Sequence, residues 1–126
     1  ILVLGDISFL HDLNSLLYLK EISSHLLIIL VNNNAGGIFS LLDIAKDQEV
    51  LPLLTTPHNF SFQKISQAFD LEYTQVKSAN ELQLFLKESM GKNYPHIIEC
   101  LIDNQSNCEL YALLKTITVS GSGEDA

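Results

Sequence analysis

Residues 1–39 read ILVLGDISFLHDLNSLLYLKEISSHLLIILVNNNAGGIF, two apolar runs that each close in a polar turn bearing glycine, with a helical pattern between them. Ile1-Leu2-Val3-Leu4 before Gly5, and Leu26 to Val31 before Asn32, have the unbroken apolar character of strands covered on both faces. Between them Ser8 stands as a helix N-cap. Phe9, Leu10, Leu13, Leu16 and Leu17 fall at helical spacing through about Lys20, and Asp12 in the first turn complements the helix dipole. A helix of that length suffices for the crossover that parallel neighbours need. Parallel pairing brings the two polar turns side by side at the carboxyl edge, where open α/β sheets take ligands.

Beyond this stretch, Asn32 to Gly37 cannot extend the second strand. Asn and Gly tolerate unusual backbone angles, so the segment can fold back and aim carbonyl oxygens at an ion. Ile38, Phe39, Leu41 and Leu42 form a compact apolar turn, while Asp43 to Asn59, with Pro52 and Pro57, lacks a period and reads as a long loop of the kind that walls a site. Ser61 caps a helix carrying Phe62, Ile65 and Phe69, and Tyr73 to Val76 is a short strand. Ser78 with Glu81 is a capping box ahead of Leu82, Phe85 and Leu86, and Gly91 with Pro95 supplies the stop. Ile97 to Ile102 is a further strand. Ser106 with Glu109 repeats the capping box before Leu110, Leu113, Leu114 and Ile117. The alternation predicts an α/β fold, an open and mostly parallel sheet with helices on both faces, over residues 1–119, and a disordered Gly/Ser-rich acidic tail over 120–126.

A hydrophobic share of 47% against 17% charged residues places the chain among folded proteins. The net charge of −8 would repel a nucleic-acid backbone or an anionic membrane, so neither is an expected partner. No apolar run is long enough to span a bilayer and no basic leader precedes Ile1, which makes the cytoplasm, or a plastid in a plant, the expected compartment. The chain begins without Met inside an apolar run and reads as a piece of a larger protein. Cys100 and Cys108 lack zinc or CxxC spacing. Cys100 reads as a core residue and Cys108 as the opening of a helix.

Asp6 and Asn33 lie 27 positions apart, one helix and one strand, and converge if the strands are parallel neighbours. A carboxylate, an amide and backbone carbonyls are hard oxygen donors, suited to Mg²⁺ against a diphosphate. The plainer alternative makes Asp6 a capping residue and the asparagines turn formers; on the residues alone both stay open. Other chemistries fit poorly. Ser8, His11 and Asp12 are too close in sequence for a nucleophile, base and orienter, and GxSxG and HExxH are absent. A P-loop is also absent, and His11, His25, His58 and His96 read as solvated or packed side chains.

Enzymes using thiamine diphosphate carry Gly-Asp-Gly followed some two dozen or more residues later by Asn-Asn, and Gly5-Asp6 with Asn32-Asn33 resembles that signature. With Ile7 in the third position, Gly5-Asp6-Ile7-Ser8-Phe9-Leu10-His11-Asp12-Leu13-Asn14 and Asn32-Asn33-Asn34-Ala35-Gly36-Gly37-Ile38-Phe39 closely resemble one family. It is 2-succinyl-5-enolpyruvyl-6-hydroxy-3-cyclohexene-1-carboxylate (SEPHCHC) synthase of menaquinone and phylloquinone biosynthesis. Thr56-Pro57-His58 and Leu71-Glu72-Tyr73 look like its later segments.

The resemblance implies thiamine diphosphate and Mg²⁺ as cofactors. Asp6, Asn33 and the carbonyl of Ala35 would bind the metal, and Gly5, Asp6, Ile7, Ser8, Asn33, Ile38 and Phe39 the cofactor. Ile38 and Phe39 would wall the substrate side, with an ordinary core role as the alternative. It further implies a transferase, working as a homo-oligomer, that decarboxylates 2-oxoglutarate and adds the succinyl unit to isochorismate. The glutamate that activates the cofactor would come from another domain of a partner subunit, so this chain would hold no catalytic side chain and would be inactive alone. A degenerate, non-catalytic domain, or another thiamine-diphosphate enzyme such as acetolactate synthase, is the alternative; Ile7 and the Phe9-Leu10-His11-Asp12 run argue against the latter.

Overall fold

Four parallel strands form the sheet: β1 (Leu2–Gly5), β2 (Leu27–Asn32), β3 (Glu72–Val76) and β4 (His96–Leu101), in spatial order β1-β2-β4-β3. The computed structural model describes residues 1–21, 25–34 and 36–120, and for 118–120 the backbone alone. Chain contacts divide it into two compact units, Ile1–Ala35 with His58–Ile102, and Gly36–Pro57 with Asp103–Ala126.

The first unit holds the whole sheet. Its central strands, β2 and β4, are mostly apolar and buried because both faces of the sheet are covered there, whereas β1, also expected to be covered on both faces, lies at the edge with Leu2 and Val3 42% and 59% exposed. On one face Ile28, Leu30 and Ile97 pack with Phe9, Leu16, Leu19, Phe62 and Leu71 from helical segments and their flanks. On the other, Leu27, Val76 and Ile98 pack with Leu82, Phe85 and Leu86 of α5 (Ala79–Ser89). The connections that advance across the sheet, β1 to β2 and β2 to β3, thus bring the helical segments at 6–19 and 62–68 to one face, and the connection that steps back from β3 to β4 brings α5 to the other. That is the pattern a constant crossover hand requires.

The helix after β1 differs from its expected form. It starts at Asp6, so Gly5 and not Ser8 is the N-cap, and it runs as α1 (Asp6–His11), a 3₁₀ turn (Leu13–Ser15) and α2 (Leu16–Leu19). Asp6 itself supplies the early acceptor, Oδ1 taking the Ile7 N–H at 2.7 Å. Asp12 is the C-cap of α1 rather than a first-turn residue, and the Ser15 hydroxyl donates to its carbonyl at 2.7 Å, a local bond that competes with a continuous helix.

Ser61 and Ser78 do cap α4 (Phe62–Ala68) and α5, accepting from Lys64 N–H at 3.3 Å and Glu81 N–H at 3.2 Å. Strand β2 keeps Asn32, paired with Leu101, as its last residue, so the turn begins one residue later than the Asn run suggested.

The stretch 43–59, expected as a plain loop, carries structure in the part that belongs to the second unit. A 3₁₀ turn (Asp43–Lys46) and the short α3 (Leu51–Thr55) follow the 3₁₀ segment Gly37–Leu41. The last helix, α6 (Asn104–Ser120), starts ahead of the proposed Ser106 and Glu109 box. Asp103 caps it, Oδ2 accepting from Ser106 N–H at 2.8 Å and its hydroxyl at 2.7 Å, bonds that also hold the carboxyl below its usual pKa. Cys108 therefore sits inside α6 instead of opening it. The helix reaches Ser120, and the expected disorder of the tail falls on 121–126, outside the described residues.

Candidate functional site

Register fixes the geometry of the carboxyl edge. Gly5 pairs with Val31, so Asp6 follows the last residue of β1 and Asn33 follows the last residue of the adjacent parallel β2. The strand order thus brings together the two elements that carry the expected ligands. Ala35, the expected carbonyl donor, lies outside the described residues.

Asp6 is buried, its side chain 4% exposed. Beside the Ile7 N–H on Oδ1, its Oδ2 lies 3.2 Å from Nε2 of His58. Ile7 is half-buried and Ser8 exposed at the start of α1. Gly5 has an ordinary extended backbone, φ −78°, and a Cβ built there would meet nothing within 4 Å, so the space over it is open.

The three asparagines have separable roles. Asn32 points inward and is 8% exposed; its Nδ2 donates to Glu99 Oε1 at 2.5 Å and its Oδ1 accepts the Asn34 N–H at 2.8 Å. Asn34 takes the left-handed conformation, φ 61°, which Asn tolerates better than most residues. Its carboxamide makes two bonds to Asn59, Nδ2 donating to the side-chain oxygen and Oδ1 accepting the backbone N–H, each at 2.8 Å. Asn33 stands between these two anchored neighbours.

Glu99 on β4 is the main residue that sequence reading missed here. At 3% exposure it accepts from Asn32, from Tyr73 O–H and from Gln75 Nε2, the last at 3.1 Å, a polar rung across β2, β4 and β3. Burial, then the bond to Glu99 and its charge, pushes the Tyr73 phenol well above its usual pKa, so it remains a donor. Glu99 sits in an apolar run, IIECLI, and a lone acid in such a run was the available signal.

The expected substrate-side residues belong to the second unit. Ile38 is 66% exposed, which removes the core alternative for it, and Phe39 is half-buried, its ring carbons 3.2 and 3.3 Å from where a Cβ on Gly36 would sit. Among the described residues, no group of three or more His, Cys, Asp or Glu could hold a metal ion by itself. No helix there is long and apolar enough to cross a membrane.

A parallel α/β sheet with a buried carboxylate and an asparagine turn at neighbouring strand ends defines a ligand-binding domain of the carboxyl-edge class. Residues 1–100 match the family described as thiamine pyrophosphate enzyme, C-terminal TPP binding domain, and the chain belongs to that family. It is 40% identical over 115 residues to the SEPHCHC synthase of Chlorobaculum parvum, covering 90% of this chain and 20% of that protein. It is 34% identical over 111 residues to the SEPHCHC synthase of Rubrobacter xylanophilus, covering 87% of this chain and 19% of that protein. The chain therefore spans about a fifth of the length of these curated relatives. A solved structure, the thiamine diphosphate-dependent 4-hydroxybenzoylformate decarboxylase of Rhodococcus jostii RHA1, shares the fold with a TM-score of 0.67 at 23% identity, over 80% of this chain and 19% of that one.

Proposed function

We propose that this chain is the diphosphate-binding portion of a SEPHCHC synthase, a homo-oligomeric transferase of menaquinone or phylloquinone biosynthesis that takes 2-oxoglutarate and isochorismate as substrates. The observation that carries the reading is the position of Asp6 and Asn33 directly after adjacent parallel strands, in a chain 40% identical to one such synthase.

The donor chemistry fits Mg²⁺ held jointly with a diphosphate. This metal is usually bound by one or two carboxylates together with substrate phosphates rather than by an all-protein cage. Asp6, Asn33 and the Ala35 carbonyl are the proposed metal ligands, and Gly5, Asp6, Ile7, Ser8, Asn33, Ile38 and Phe39 the proposed cofactor contacts. The open space over Gly5 suits close approach of a ligand to the backbone. Ile38 and Phe39 are the proposed substrate-side wall. When bound, the cofactor supplies the electron sink for loss of carbon dioxide from a 2-oxo acid. This chain's part is to hold and orient it, and the activating glutamate belongs to another domain of a partner subunit. The cytoplasm, or a plastid in a plant, is the proposed location.

Calorimetric titration of the complete protein with thiamine diphosphate, with and without Mg²⁺, tests this. Binding should require the metal and weaken by about 100-fold or more, roughly 2.7 kcal/mol, in Asp6→Ala. Unchanged affinity in that variant, or no product from 2-oxoglutarate and isochorismate, would overturn the assignment.

A further inference from the structure

His58 and Asn59 lie on a segment 52 positions from Asp6 and 25 from Asn34, yet they bond to both strand-end turns. The His58 side chain is 6% exposed, ring-stacked on Phe60 and edge-on to Phe62, each with centroids 5.6 Å away. The Phe60 backbone N–H donates to His58 Nδ1 at 3.1 Å. A backbone amide can only donate, so Nδ1 is the acceptor and the proton resides on Nε2. Nε2 faces Asp6 Oδ2 at 3.2 Å and therefore donates to it. The next residue, Asn59, holds Asn34 through two bonds of 2.8 Å. The segment thus grips the carboxylate of one turn and the asparagine loop of the other.

We propose that His58 is a positioning residue for the metal site: its Nε2–H fixes the Asp6 carboxylate, and with Asn59 it sets the spacing between the turns that carry Asp6 and Asn33. This rests on the metal reading above. Each carboxylate oxygen can accept more than one partner, so a hydrogen bond on Oδ2 and a cation are compatible. A neutral donor leaves the negative charge of Asp6 for the metal, which a lysine in the same place would offset. Outer partners of this kind typically account for 10- to 100-fold in metal affinity.

The test is Mn²⁺ binding, read from the electron paramagnetic resonance signal of free Mn²⁺, on the complete protein with thiamine diphosphate present. His58→Gln can place its amide near the Nε2 position, whereas His58→Asn reaches the Nδ1 position and leaves Asp6 without that donor. His58→Asn should bind Mn²⁺ about 10- to 100-fold more weakly, and His58→Gln should restore most of the affinity. Thermal unfolding of each variant accompanies the titration; if His58→Asn does not fold, His58→Leu against His58→Gln makes the same comparison. Equal losses in the Gln and Asn variants, or none in either, would overturn the proposal and leave His58 a packing residue. Asp6→Ala is the control: if it binds Mn²⁺ normally, the metal reading itself is wrong, a failure separate from that of His58.

Discussion

At Gly5 the proposed cofactor contact can be tested on a single residue. Its φ of −78° suits any L-residue, and a Cβ would meet no atom within 4 Å, so neither backbone angle nor packing calls for glycine. On the proposed reading, close approach of a ligand to the backbone does. Gly5→Ala puts a poorer residue at the N-cap of α1 but lowers the freedom of the unfolded chain, opposing effects that should keep thermal stability within about 1 kcal/mol. It should weaken thiamine diphosphate binding about tenfold, near 1.4 kcal/mol. Loss of stability with unchanged affinity would reverse that explanation. Gly5, Asp6 and Asn33 were legible in the sequence because strand ends and glycine-bearing turns have local signatures. The division of labour among Asn32, Asn33 and Asn34 was not. Three identical side chains in a row differ only in their partners, Glu99 and Asn59, which are distant in sequence. His58 was hidden for the same reason, since nothing near it announces Asp6.

At the scale of elements, strands and capped helices were readable where a single local rule governs them, as for Ser61 and Ser78. Where a sequence offers more than one start, the helix began nearer the strand: α1 starts at Asp6 with Gly5 as its N-cap, two residues ahead of Ser8, and at α6 Asp103 caps in place of Ser106. The rung made by Glu99 ties β2, β3 and β4 at the carboxyl edge, and β2 ends at the residue it holds. A buried carboxylate persists there because three donors satisfy it. Glu99→Ala would leave the Asn32, Tyr73 and Gln75 donors without that acceptor, and leaving buried groups unsatisfied costs about 1–3 kcal/mol each. Since Gln75 is partly open to water, a total of about 2–5 kcal/mol is expected. Glu99→Gln, which keeps an oxygen for Asn32, should cost less. Chemical denaturation of both variants measures the difference, and equal, small effects would show that the rung does not hold β2.

The whole molecule explains why this chain is not expected to act alone. β1 ends the sheet on one side, and its Leu2 and Val3 are 42% and 59% exposed, while α6 exposes Leu110, Leu113 and Ile117 at 54%, 57% and 58%. Apolar surface on an edge strand and along a helix favours association. The isolated chain should therefore sediment with a concentration-dependent mass. Its charge raises a second barrier. Both proposed substrates are dicarboxylates, yet the chain carries a net charge of −8 and seven lysines with no arginine, the residue best shaped for two-pronged carboxylate binding. On the proposed reading the oxygens at the ends of β1 and β2 hold a cation, and through it a diphosphate, and do not themselves attract an anionic substrate. Saturating the chain with thiamine diphosphate and Mg²⁺ should therefore produce no carbon dioxide from labelled 2-oxoglutarate, while the complete protein under the same conditions should release it. Release by the chain alone would mean that it holds substrate and activates the cofactor without the remaining four-fifths of a protein the length of its relatives.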